Sequence, residues 1–184
     1  MEDLQAIRRL KDGDIGGLEC LVARYQARAL RTAFLITQDE PTAENVVQDV
    51  FVQLYRRAGQ LDEARPFGPY LLRSVVNAAL NCMKREKRGG ALEVDRERTL
   101  EGLLEQAASV EEQVEFRVLK GRILDALREL PPRQRAAIVG RYYLEMSERE
   151  MSEVLAAPRG TIKWLLNSAR NRLRSLLSPE RTTE

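Results

Sequence analysis

Histidine is absent from all 184 residues, and with it goes the commonest general base and metal ligand. Only two cysteines occur, Cys20 and Cys82. They stand far apart and match no zinc-binding spacing. Both fall on apolar helical positions, which suits plain core packing; a redox role is the other reading. No GxxxxGK[ST], GxGxxG or GxSxG stretch appears. Carboxylates are plentiful, yet none sits in a recognisable acid/base pair. These absences argue against an enzyme, a cofactor, a resident metal or a small-molecule substrate. No apolar run approaches the roughly 20 residues of a membrane span, and the opening MEDLQAIRRLKDGD is charged throughout, unlike a signal peptide. A cytoplasmic location is expected. Glycine and β-branched residues are sparse while Leu, Ala, Arg and Glu dominate, a composition that favours an all-α protein. Hydrophobic residues make up 43% of the chain, enough to bury cores.

The net charge of +2 conceals a pattern. Residues 1–88 carry 14 Lys+Arg against 12 Asp+Glu, residues 89–115 carry 2 against 8, and residues 116–184 carry 14 against 8. A mildly basic block, an acidic connector and a strongly basic block follow in order. Basic blocks point to nucleic acid, although solvated helix faces have the same composition.

Apolar spacing of 3–4 residues predicts helices over 2–12, 17–37 and 43–58, the last with Thr42 as its N-cap. Residues 58–70, AGQLDEARPFGPY, hold two glycines and two prolines without periodicity and read as a loop. A helix then runs to about 88, with Pro69 in its first turn, and ends at KREKR before Gly89-Gly90. The acidic stretch 89–112 shows no strong repeat and reads as a linker with partial helix at best. Helices are predicted again over 113–130 and 133–144. Ser147-x-x-Glu150 is a capping box opening a short helix over 148–155. Pro158 starts the last helix, TIKWLLNSARNRLR.

A short capped helix, a tight turn and a longer basic helix make a helix-turn-helix, in which the second helix fits the major groove of DNA. The outward residues of that helix are Arg159, Lys163, Trp164, Asn167 and Ser168. Its apolar face is Ile162, Leu166, Ala169 and Leu173. The only tryptophan of the chain therefore stands on a polar face. Helical hairpins that never touch DNA share this outline.

Three longer stretches sharpen the reading. PTAENVVQDVFVQLYRR, RPFGPYLLRSVVNAALNCMKREKR and LPPRQRAAIVGRYYLEMSEREMSEVLAAPRGTIKWLLNSARNRL occur in the order and spacing of the bacterial extracytoplasmic-function sigma factors, and the chain closely resembles that family over about residues 10–178. The resemblance implies an all-α protein of two small helical domains: region two over 1–88 and region four, with the helix-turn-helix, over 113–178. A flexible acidic linker over 89–112 joins them, and 179–184 is a tail. It also implies binding to core RNA polymerase, recognition of the −35 and −10 promoter elements, DNA melting at the start site, and control by an anti-sigma factor.

Site residues follow from the same resemblance. The helix 43–58 carries Glu44, and its Gln48, Asp49 and Gln53 match the surface that docks on the clamp coiled coil of the largest polymerase subunit; a solvated face is the alternative. The loop 58–69 matches the segment that captures a flipped −10 base, with Phe67 and Tyr70 as nearby aromatics. Tyr70 stands where tryptophan is usual, and Phe67 suits stapling the core better than contacting a base. Asn77 matches an asparagine near the −10 element, with Asn81 one turn on. Arg73, Lys84, Arg85, Lys87 and Arg88 suit phosphates. The acidic linker suits a basic path inside the polymerase, or else is a soluble tether.

In the recognition helix Thr161, Ile162, Lys163, Leu166, Ala169 and Arg170 fit the family's Thr-Val-Lys-Ser-Arg-Leu pattern and the triplet after it, whereas Trp164, Leu165 and Ser168 depart, so the usual outward Ser and Arg are gone. Trp164 then has three readings: a contact to thymine methyls or sugar edges, packing on a neighbouring element, or a regulator's hot spot. Asn167 suits adenine. Two rival functions fit parts of the chain. A free-standing helix-turn-helix regulator leaves residues 10–88 unexplained. A sigma-like adaptor that binds polymerase or an anti-sigma protein without reading promoters fits the departures at Trp164 and Leu165.

Overall fold

A computed structural model describes residues 2–89 and 110–178, with side-chain surroundings for 2–85 and 119–178. All regular structure among the described residues is helical. The expected linker core over 90–109 and the tail over 179–184 lie outside the described residues. The chain divides into two compact units, Met1–Thr99 and Leu100–Glu184.

The first unit is built on α1 (Asp3–Lys11), α2 (Gly16–Thr37), α3 (Glu40–Arg56) and α4 (Phe67–Gly89). Helix α2 is the centre, packed on each of the other three. Its docking with α1 depends on Gly17, where a Cβ would collide with the Ala6 carbonyl oxygen and stand 2.7 Å from the Leu10 nitrogen. With no side chain there, Ala6, Ile7 and Leu10 of α1 reach full burial.

Helix α2 ends at Gln38, whose φ of 60° is left-handed. Asp39 then caps α3 by accepting from the Thr42 backbone N–H at 2.9 Å. This corrects the expected Thr42 cap and start at 43. Pro41 has no N–H to leave unpaired, so it fits the first turn and the helix begins ahead of it. Val46, Val47, Val50, Phe51 and Leu54 fill the core beneath α3, as do Leu71, Leu72, Val75, Val76 and Ala79 beneath α4. Between these helices the expected loop holds one 3-10 turn, Ala58–Gln60, and ends earlier than its composition suggests, since α4 already starts at Phe67.

The second unit comprises α5 (Val110–Arg128), α6 (Pro132–Ile138), α7 (Glu148–Val154) and α8 (Arg159–Leu177), with α5, α6 and α7 all packed on α8. Buried Arg135 donates to the carbonyls of Arg128 and Leu130 at 3.0 Å each, so the C-terminal end of α5 is closed by a side chain of α6. The single helix expected over 133–144 is two elements: α6 gives way to a π-helical turn, Val139–Tyr143. A Cβ at Gly140 within that turn would stand 3.5 Å from the Met146 and Met151 sulfurs, in ordinary van der Waals contact, so the widened backbone packs against both methionines.

Candidate nucleic-acid interface

The capping box forms as its residues require: the Glu150 backbone N–H donates to Ser147 Oγ at 3.3 Å, and Ser147 N–H donates back to Glu150 Oε2 at 2.9 Å. Helix α7 buries Met151 and Val154. The turn that follows passes through Ala156 with a left-handed φ of 45°. Two side chains brace it: Ser152 Oγ donates to the Ala157 carbonyl at 2.6 Å, and Arg133 donates to the Leu155 carbonyl at 2.8 Å. Pro158 stands at the N-cap of α8, one position before the first turn in which the sequence suggests it.

Helix α8 buries Ile162, Leu165, Leu166 and Ala169. Leu165, counted above among the departures from the family's outward pattern, is only 4% exposed and belongs to the core. At about 100° per residue it falls next to Ala169 at the edge of the inner face, about 60° from Ile162. Arg159, Thr161, Lys163, Trp164, Asn167 and Arg170 are exposed, with Trp164 at 62%. Ser168 is a correction: it is half-buried, and its hydroxyl accepts from Gln134 Nε2 of α6 at 3.1 Å. It faces the bundle and helps fix the rotation of α8. Arg170 Nε donates to the Leu166 carbonyl of its own helix at 3.2 Å. Lys163 lies 3.9 Å from Glu148, an exposed pair that holds it only weakly. From Arg159 to Leu177 there is no acidic residue, and Arg159, Lys163, Arg170, Arg172 and Arg174 are basic.

In the first unit a second polar row runs along α4. Tyr70, Asn77, Asn81, Lys84 and Arg85 are exposed, and positions 70, 77, 81 and 84 follow one another at one- or two-turn intervals. Arg73 lies beside them, half-buried, donating to the Pro69 carbonyl at 3.1 Å. Arg88 belongs to the same helix, but its side chain, like that of Lys87, lies outside the described residues. Phe67 does not join the row. It is 4% exposed and meets Tyr25 edge-on at a ring separation of 5.3 Å. As the first residue of α4 its ring turns towards α2, and neighbouring Gly68 leaves room for Tyr25, whose Cε1 would stand 3.0 Å from a Cβ there. Phe67 is thus a staple of the core and not a surface for a base.

Tyr25 donates its hydroxyl to Asp3, which also pairs with Arg24. Burial, reinforced by that hydrogen bond, pushes the Tyr25 phenol up to about 12.

On α3, Glu44, Gln48, Asp49 and Gln53 are all exposed. Val52 and Tyr55 are exposed with them, apolar neighbours that sequence reasoning passed over. Their signal was positional: they lie four and seven residues after Gln48, on its side of the helix. Gln134 was missed as well, because nothing in a lone glutamine after two prolines marks it as buried. Cys20 and Cys82 are half-buried, and neither forms a disulfide among the described residues. Among the described residues no cluster of three His, Cys, Asp or Glu side chains could hold a metal ion. No helix there is long and apolar enough to cross a membrane.

Residues 21–89 match the family described as Sigma-70 region 2, and residues 120–173 match Sigma-70, region 4. The chain is 27% identical over 177 residues to the ECF RNA polymerase sigma factor SigW of Bacillus subtilis, covering 93% of this chain and 94% of that protein. It is 25% identical over 186 residues to the ECF RNA polymerase sigma-E factor of Escherichia coli K12, covering 97% and 96%. Among solved structures, the sigma factor RpoE of Bartonella quintana, in complex with the anti-sigma factor NepR, shares the fold with a TM-score of 0.64 at 20% identity, covering 89% of this chain and 98% of that one.

Proposed function

The chain belongs to the sigma-70 family as an extracytoplasmic-function sigma factor, an alternative sigma factor that directs RNA polymerase, and from that premise we propose that its two units divide promoter recognition between them. The second unit reads the −35 element with the outward face of α8. The first unit binds the −10 element along α4 and holds core polymerase with α3. The observation that carries this reading is a pair of solvent-facing helical rows on separately packed units, one of amides and cations on α4, one free of acidic residues on α8.

Such rows suit phosphates and base edges. Cations meet phosphates and release counterions, amides match base edges, and carboxylates would be repelled. On α4, Tyr70, Asn77 and Asn81 take the melted −10 strand, and Arg73, Lys84, Arg85 and Arg88 its backbone. Unstacking each base costs about a few kcal/mol, so the polymerase, gripping the rest of the duplex, must share that cost. On α3, Glu44, Gln48, Asp49 and Gln53 surround exposed Val52 and Tyr55, an acidic and apolar patch suited to a basic partner surface. Sigma factors are initiation factors, and this chain works through binding alone, inside the cytoplasm where polymerase is found. The RpoE relative was solved with an anti-sigma factor, and we propose a partner of that class here. Run-off transcription with purified core polymerase on a promoter library tests the whole reading. Start-site-specific transcripts are expected. Their absence from every template overturns it, and tight site-specific binding by the chain without polymerase would favour a free-standing regulator.

A further inference from the structure

Trp164 is 62% exposed near the start of α8, among the outward Arg159, Thr161, Lys163 and Asn167; the other large apolar residue exposed on this helix, Leu176, lies at its far end. A single exposed apolar residue needs no explanation in general. This one stands in the second turn of α8, the part of a recognition helix that faces base edges. It enters no aromatic pair among the described residues. Its support is stiff: Ile162, Leu165, Leu166 and Ala169 anchor the helix from behind, and the Gln134–Ser168 hydrogen bond fixes its rotation.

The chemistry of an indole selects among the four bases. It offers an apolar ring and one N–H donor, and it accepts nothing. In the major groove adenine and cytosine present amino donors, which an indole cannot satisfy. Guanine presents two acceptors and no apolar group. Thymine alone presents a methyl group beside an acceptor, O4. Asn167 lies three residues on, on the same side of α8, and its amide pairs with adenine N6 and N7.

We propose that Trp164 reads a thymine of the −35 element, its ring against the C5-methyl and its Nε1–H towards O4, while Asn167 reads an adenine at a neighbouring base pair. The assignment rests on the sigma reading above. Lys163, drawn towards Glu148 across the helix-turn-helix, and Arg159 flank the indole and serve the phosphates on either side.

Replacing thymine by uracil removes the methyl and leaves O4, so it isolates the apolar contact. Holoenzyme assembled from the full chain and core polymerase is titrated with a promoter from the library, with each −35 thymine changed in turn to deoxyuridine. One position should lose about fourfold in affinity, the equivalent of one methyl group leaving an apolar contact. Trp164→Ala, with its helical circular dichroism intact, should bind more weakly and become blind to uracil at that position. Trp164→Phe keeps a ring and should keep the uracil sensitivity. Wild-type holoenzyme indifferent to uracil at every thymine overturns the assignment, as does uracil sensitivity that survives in Trp164→Ala. A tryptophan emission change produced by core polymerase alone and not by DNA overturns it too, placing a protein against the indole. These outcomes leave promoter-directed transcription standing. Its loss from every template would instead sink the sigma reading and this assignment with it.

Discussion

Ala156 adopts a backbone conformation that an L side chain rarely takes, and it does so at the one turn that sets the angle between α7 and α8. Glycine reaches φ of 45° without the Cβ penalty. Ala156→Gly should therefore raise the stability of the second unit by about 0.5–1 kcal/mol, read as a higher melting midpoint with unchanged DNA affinity. Tyr25 makes the opposite kind of statement. Its phenol is raised to about 12, against about 10 in an unfolded chain. The folded protein prefers the neutral form, so the contribution is complete below pH 10 and disappears as pH climbs towards 12. Thermal melts from pH 9 to 11 should show a decline in the wild type that is shallower in Tyr25→Phe; equal slopes would mean the phenol is not the group responsible.

Helix α3 shows how far an element can be read from residue order. Its core face was legible because Val46, Val47, Val50, Phe51 and Leu54 repeat at helical spacing, and its start was not, because Asp39, Pro41 and Thr42 each offer a start signal. Asp39 prevails by bonding the Thr42 N–H. The same contrast holds at the sites. Outward residues of α8 were legible from periodicity, Trp164 among them. In the sequence Phe67 falls within a loop-like stretch and suits a core staple better than a base contact; the structure puts it at the start of α4, and the packing of Tyr25 against Phe67 and Gly68 decides for the staple. Ser168 looked outward on a wheel and is claimed by Gln134 from another helix, a contact no local pattern encodes. Asp49 carries the prediction at this scale. It is exposed beside Val52 and Tyr55, and Asp49→Arg should weaken co-elution with core polymerase by about tenfold or more, because like charges set against each other across an interface cost several kcal/mol. Unchanged affinity in a variant with native circular dichroism would move the docking surface off α3.

Two units, each offering DNA one short row, should bind duplex poorly alone. With five cations on α8 and all of them on phosphates, anisotropy titrations of the free chain on a −35 duplex should give a log–log salt slope of about −4.5, and each Arg→Gln there should reduce it by about 0.9. Core polymerase, by holding both units at promoter spacing, turns the second contact into an intramolecular one and should raise affinity by about a hundredfold or more. A free chain that already binds a full promoter as tightly as the holoenzyme would contradict this division of labour.

The π-helical turn Val139–Tyr143 has an evolutionary corollary. It is one residue wider than the helix it continues, and every residue in a helix turns the chain by about 100°. Loss of one codon within it would restore a regular α-helix only by turning the chain leading into α7 about 100° away from the α6–α8 packing and the Gln134–Ser168 and Arg133–Leu155 hydrogen bonds. A lineage that shed the extra residue would have to rebuild the core of its reading head, so the bulge is held in place by everything packed around it.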